Sequence, residues 1–158
     1  MRIRCLVFSL VIGTSHSLIC TVASGQPGDV AVVVNEKNSV VNLNNTELRS
    51  IFAGEKHYWP SGVPIRVFVR APGAEERTAL LKLLDMTEDQ YKKYWTAQIL
   101  TGEDQAEPVV LFSNGVQRNA IVSYIGSIAL VSAQDLRPGM KVVKLDGRLP
   151  GEPGYTLH

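Results

Sequence analysis

Between Leu43 and Arg70 the chain reads LNNTELRSIFAGEKHYWPSGVPIRVFVR, and this stretch constrains the fold more than any other. Its first half is a helix with both ends marked. Asn44 is placed to cap it, and Glu47 stands three residues on, where its carboxylate reaches back to the cap amide. Leu48, Ile51 and Phe52 share one face at helical spacing, and Gly54 stops the helix. His57 to Gly62 reads as a turn rich in aromatic residues, Pro and Gly, and Ile65 to Val69 is β-branched and aromatic enough to form a strand. A short helix followed at once by a strand must bury the apolar side of each against a shared core. Phe52 is therefore expected inside.

The same alternation of periods runs along the rest of the chain. Val30 to Val34 is an unbroken β-branched run, the pattern of a strand buried on both faces. Asn35 to Asn42 reads as a polar loop. After an Ala71-Pro72-Gly73 turn, a helix is expected from about Ala74 to Leu84, with Arg77, Leu80, Leu81 and Leu84 along one side. Thr87 and Gln90 form a second capping box, Tyr91, Tyr94, Trp95 and Ile99 continue one face, and Gly102 ends that helix. The aromatic stripe reads as core, so Trp95 is also expected inside. Glu103 to Glu107 is an acidic connector, and Pro108 to Phe112 a minor strand. A helix opens at Asn114 with Gln117, placing Val116, Ala120 and Tyr124 on a common face. Ile128 to Val131 and Met140 to Leu145 read as the last strands, either side of Arg137-Pro138-Gly139. Strands alternating with helices imply an α/β domain, its sheet mostly parallel and covered by helices on both faces.

The first residues read as a signal peptide. Arg2 and Arg4 form a basic start, Cys5 to Ile12 is apolar and free of acids, and small residues follow at Thr21 to Ser24. The apolar run is broken by Gly13 to Ser17 and falls short of the ~20 residues a spanning helix needs. The expected division is residues 1–24 as signal peptide and 25–158 as the mature domain, periplasmic or secreted and without membrane insertion. Ile19 before Cys20 is a poor context for lipid attachment. Both cysteines leave with the leader, so no disulfide or thiol chemistry is expected. The 16 basic and 15 acidic residues of the full chain lose only Arg2 and Arg4, and a near-neutral balance gives no footprint for nucleic acid.

Catalysis finds little support. Of the three His, His16 lies in the leader and His158 at the terminus, leaving His57 alone. One His without Cys cannot supply the three or four ligands of a zinc site, so no metal and no cofactor are expected. The G-x-S-x-G elbow is absent. Glu75 and Glu76, adjacent on a helix, point about 100° apart and cannot easily flank one bond; acids in a first helical turn complement the dipole instead. No catalytic residue is assigned. Trp59, before Pro60, fits either a cleft lining or an anchor for its loop. The best candidate for ligand contact is Arg70-Ala71-Pro72-Gly73-Ala74-Glu75, where a strand ends, a Gly turn follows and a helix begins. Helix N-termini at the carboxyl ends of strands bind anions, and Arg70 adds a fork suited to an oxyanion.

The order of motifs resembles the phosphate-binding proteins of ABC importers. Leu43-x₄-Leu48-x₂-Ile51-Phe52-x-Gly54, then Trp59 and a strand ending in Arg70, is similar to that family's opening motif. Tyr94-Trp95 with Thr101-Gly102, Gly126 to Val131, Lys144-Leu145-Asp146-Gly147 and Gly154-Tyr155-Thr156-Leu157 resemble its later ones, in the same order. The resemblance implies a periplasmic-binding-protein-like lobe, the second of the family's two. It also implies a small oxyanion such as phosphate as ligand, and an ABC permease or a second lobe as partner. The family's R-x-x-x-S-G-T loop falls on Arg70 to Glu76, so the implied ligand-binding residues are Arg70, Gly73, Ala74, Glu75 and Glu76, with Arg77 replacing lost contacts. Here the family's hydroxyls are gone, and the loop carries two carboxylates, Glu75 and Glu76. A phosphate charge 4 Å from a carboxylate is opposed by ~4 kcal/mol at an effective dielectric near 20. Two functions follow: a solute-binding module for an oxyanion, or a lobe reused as an interaction or accessory protein without a small ligand.

Overall fold

The computed structural model describes residues 28–101 and 107–158. The signal-peptide assignment, the Gly102 stop and most of the acidic connector lie outside those residues. Six strands form one sheet: β1 Val30–Asn35, β2 Asn42–Leu43, β3 Arg66–Arg70, β4 Val109–Leu111, β5 Ser127–Ser132 and β6 Met140–Leu145, in the spatial order β2-β6-β1-β5-β3-β4. Four helices accompany them among the described residues: α1 Asn45–Phe52, α2 Glu75–Leu84, α3 Glu88–Leu100 and α4 Asn114–Ser123.

The sheet is mixed. β2 pairs parallel with β6, and β3 pairs parallel with both β4 and β5. β1, at the centre, runs antiparallel to both its neighbours, with Val32 opposite Leu130 on one side and Val143 on the other. Its six residues are all buried, which is why it reads as a continuous apolar run rather than an alternation. Two cores follow from its two faces. Val30, Val32 and Val34 pack with residues of α1, α2 and α3, including Phe52, Leu80 and Trp95. Ala31 and Val33 pack with Phe68, Leu111 and Ile121 under α4. Helices thus cover both faces.

Local signals place the helix ends well. Asn44 and Thr87 each accept from the backbone amide three residues on, and the Glu47 and Gln90 side chains answer to the cap amides, completing both capping boxes. Phe52 and Trp95 are buried as expected. Two readings need correction. Part of the Asn35–Asn42 loop region becomes strand, because Asn42–Leu43 pairs with Lys144–Leu145 of β6. On α4 the inward side carries Gln117 and Ile121, while Val116 and Tyr124 are exposed. The Gln117 amide donates to the Leu130 carbonyl at 2.8 Å, and that bond lets a polar residue take the buried position.

Trp59 anchors its loop. Its indole Nε1 donates to the Gly126 carbonyl at 3.1 Å, and the ring is buried in the core. Gly126 is required there: a Cβ on it would stand 1.9 Å from the Pro64 carbonyl oxygen.

Candidate functional site

β3 and β5 are parallel neighbours, so their carboxyl ends open on the same edge of the sheet. Arg70 closes β3 and Ser132 closes β5. Ala71 to Ala74 turn the chain into α2, with Gly73 at φ +90°, a backbone angle that glycine adopts without steric cost. α2 then starts from Ala74 with no side-chain cap, which leaves its first turn short of the partner a Ser or Thr would have supplied.

Arg70, Glu75 and Glu76 come together at this edge. The Arg70 side chain is only 12% exposed, and its Nε and Nη1 are buried without a hydrogen-bond partner. The nearest carboxylate oxygen, Glu76 Oε2, lies 3.9 Å from Arg70 Nε, too far for a hydrogen bond. Glu76 is itself buried, and its Oε1 accepts from the Ser132 amide at 3.3 Å. Glu75 Oε2 accepts from the Ser132 hydroxyl at 3.3 Å. The space beside Arg70 and Glu76, closed by Phe52, Phe68, Leu80 and Leu130, has no room for a water-sized sphere.

Arg77 goes elsewhere. Its Nε and Nη2 donate to Glu88 Oε2 and Oε1 at 3.0 and 2.7 Å, a planar fork on a carboxylate. Its guanidinium carbon lies 3.9 Å from the centroid of the Tyr91 ring. Burial works against the Arg77 charge, but the Glu88 hydrogen bonds and its negative charge raise the group's pKa above the ordinary value. The hydrogen bond from Arg77 holds Glu88 below the usual carboxylate range. The two arginines do not converge: Arg77 ties α2 to α3, and Arg70 stays at the strand edge. Ser132, which sequence reasoning did not select, is central to the cluster. No local motif marks it; only the pairing of β5 beside β3 brings it to Arg70.

A cleft of about 480 Å³ opens at the other end of β3, lined among others by Tyr58, Arg66, Trp95 and Val109. Its cations are already engaged, since Lys56 pairs with Glu47 at 3.3 Å and Arg66 lies over the Tyr124 ring. The strand-edge cluster, with unsatisfied donors on Arg70, is the stronger candidate. Among the described residues no group of His, Cys, Asp and Glu has the make-up of a metal site, and no helix is long and apolar enough to cross a membrane.

A mixed six-stranded sheet with helices on both faces, and helix N-termini at the carboxyl ends of its strands, makes an α/β lobe whose fold is periplasmic-binding-protein-like by its likeness to known receptors. Solved structures share this fold. An ABC-type phosphate transport receptor from Vibrio cholerae superposes with a TM-score of 0.63 at 19% identity, covering 77% of this chain and 48% of the receptor. A putative phosphate ABC transporter substrate-binding protein from Clostridium perfringens, solved with bound phosphate, gives 0.62 at 17% identity over 77% of this chain and 46% of its own. A phosphate-binding protein from Stenotrophomonas maltophilia gives 0.57 at 19%, over 77% and 40%. No protein-family model matches the sequence. The chain spans somewhat less than half the length of these three receptors, and at such identities the likeness is one of fold.

Proposed function

We propose that this chain is a non-enzymatic solute-binding module whose ligand is a small oxyanion of the phosphate class, held at the carboxyl edge of β3. One observation carries the reading: Arg70, nearly buried where β3 meets α2, keeps two guanidinium donors without an acceptor. A buried cationic group with unmade hydrogen bonds is costly, and an oxyanion is the acceptor whose charge and geometry match it. The fold shared with phosphate-transport receptors supports the same direction. The ligand contacts are Arg70 and the amides from Gly73 to Glu76. Arg77 takes no part, because Glu88 and Tyr91 hold it. In this reading residues 1–24 direct export, the mature module works in the periplasm or is secreted, and an ABC permease or a second lobe is its partner.

Titration calorimetry of the mature protein against phosphate, sulfate and small carboxylates tests the proposal. Removing a charged hydrogen-bond donor typically costs ~1.5–3 kcal/mol, so Arg70→Ala should weaken oxyanion binding about 10- to 100-fold with the fold intact. A bound ligand whose affinity is unmoved by Arg70→Ala lies elsewhere. The second reading, an interaction or accessory lobe without a small ligand, is favoured by the Glu75 and Glu76 carboxylates that crowd the same edge. Absence of any oxyanion binding at millimolar concentration would select it.

A further inference from the structure

We infer that the Glu76 carboxylate stands in for the oxyanion in the resting protein, and that Ser132 at the end of β5 is the ligand donor it covers; the inference rests on the oxyanion reading of the Arg70 edge. Glu76 projects from the first turn of α2, and its side chain is only 6% exposed. Its two oxygens face the two groups an oxyanion would use. One accepts the Ser132 amide hydrogen and the other faces Arg70 Nε. Glu75 holds the Ser132 hydroxyl in the same manner. Ser132 is buried, and both its donors are spent on these carboxylates.

The donors and the carboxylates belong to different elements. Arg70 and Ser132 are fixed by adjacent strands of the sheet, whereas Glu75 and Glu76 belong to α2. A side-chain rotation of Glu76 therefore uncovers the Ser132 amide and the Arg70 guanidinium, and a rotation of Glu75 frees the Ser132 hydroxyl, without moving either strand. With Glu76 in place, the space beside it and Arg70 does not admit a water-sized sphere, so a ligand that uses the Arg70 donors takes the place of the carboxylate. Binding is then a competition. The affinity seen for an added oxyanion is the intrinsic affinity reduced by the fraction of molecules with Glu76 turned away, and a retained carboxylate nearby repels the ligand as well. Ser132 supplies a hydroxyl donor to the site, in place of those missing from the turn before α2.

Calorimetric titration with inorganic phosphate and with sulfate decides this, using the unmodified protein, Glu76→Ala, Glu76→Gln and the Glu76→Ala/Ser132→Ala pair, each checked by thermal melting. Glu76→Ala should bind phosphate at least tenfold more tightly than the unmodified protein. Glu76→Gln, which keeps the shape and loses the charge, should show a smaller gain and carries the comparison if the alanine variant does not fold. Adding Ser132→Ala to Glu76→Ala should give back about three- to tenfold, the weight of one neutral hydrogen bond. Equal affinity in the unmodified protein and the folded Glu76 variants would overturn the inference and leave the oxyanion reading standing. An unchanged affinity on adding Ser132→Ala would remove Ser132 hydroxyl from the ligand contacts. Failure of every protein to bind either anion at millimolar concentration would overturn the oxyanion reading, and the inference with it.

Discussion

Replacing Glu88 by Ala strands a buried cation, and its cost can be worked from the geometry. Glu88 receives two charge-assisted hydrogen bonds from Arg77, at 2.7 and 3.0 Å, and the Arg77 side chain is 5% exposed. Removing one partner of a fully buried pair costs about 3–5 kcal/mol, because the other charge is left without compensation. Glu88 is 28% exposed, so water can replace part of what it supplied. The Tyr91 ring also continues to face the guanidinium. We therefore expect about 2–3 kcal/mol, which at an m-value of roughly 2 kcal/mol/M lowers the urea midpoint by about 1 M. Arg77→Met added to Glu88→Ala should recover part of the loss, since no charge is then buried unpaired; the pair must be non-additive. The sign with pH follows from Glu88, whose folded pKa is held low by Arg77. Its contribution is fully present above the ordinary carboxylate value and is lost as pH falls through the depressed one. Glu88→Ala should accordingly flatten the acid limb of the stability profile. Urea unfolding by circular dichroism, repeated across pH, is the assay. A Glu88→Ala midpoint within error of the unmodified protein would refute the reasoning.

Other expected outcomes concern the core, one glycine and processing. Phe52→Ala, at a fully buried position between α1 and the sheet, should cost roughly 3–5 kcal/mol; an unchanged denaturant midpoint would contradict its place in the core. Gly126→Ala should destabilise by more than the ordinary surface substitution, which stays within about ±0.5 kcal/mol, because its Cβ would collide with Pro64 backbone rather than with a side chain able to move. The collision should also displace Trp59, so a shift in tryptophan fluorescence should accompany the lost stability. Intact mass of protein recovered from a periplasmic fraction should correspond to a chain starting at Ser24 or Gly25; a mass that retains residues 1–23, or lipid on Cys20, would defeat that expectation.

The parts of the fold that were legible in the sequence are those fixed within a few residues. Asn44 with Glu47 and Thr87 with Gln90 mark helix starts because the capping partners are three positions apart. Val30 to Val34 declares a two-faced strand by its lack of polar residues. What stayed hidden depends on partners distant in the chain. Nothing in VAVVVN tells which way β1 runs relative to β5 and β6. The buried face of α4 is set by a Gln117 bond to Leu130 that no helical period announces. The site shows the same division. Arg70 and the Gly73 turn were readable as a strand-to-helix junction. Arg77 looked available because its own helix offers it no acid at i+3 or i+4; its acceptor, Glu88, begins the next helix. Ser132 enters only through strand order.

The central position of β1 has a consequence for synthesis. Its partners β5 and β6 are the last strands in the chain, and the register sets Val30 against Ser132, roughly a hundred residues later. At elongation rates of about 5–20 residues per second, the apolar VAVVV run waits roughly 5–20 s before the strands that flank it have been made. Contacts this distant in sequence also slow folding once the chain is complete. Throughout that interval a β-branched segment without charge or proline is open to pairing with the same segment of another chain. Nascent chains stalled between Leu111 and Ser127 should therefore be captured by a holdase chaperone through residues 30–34, and chains extended past Leu145 should escape it.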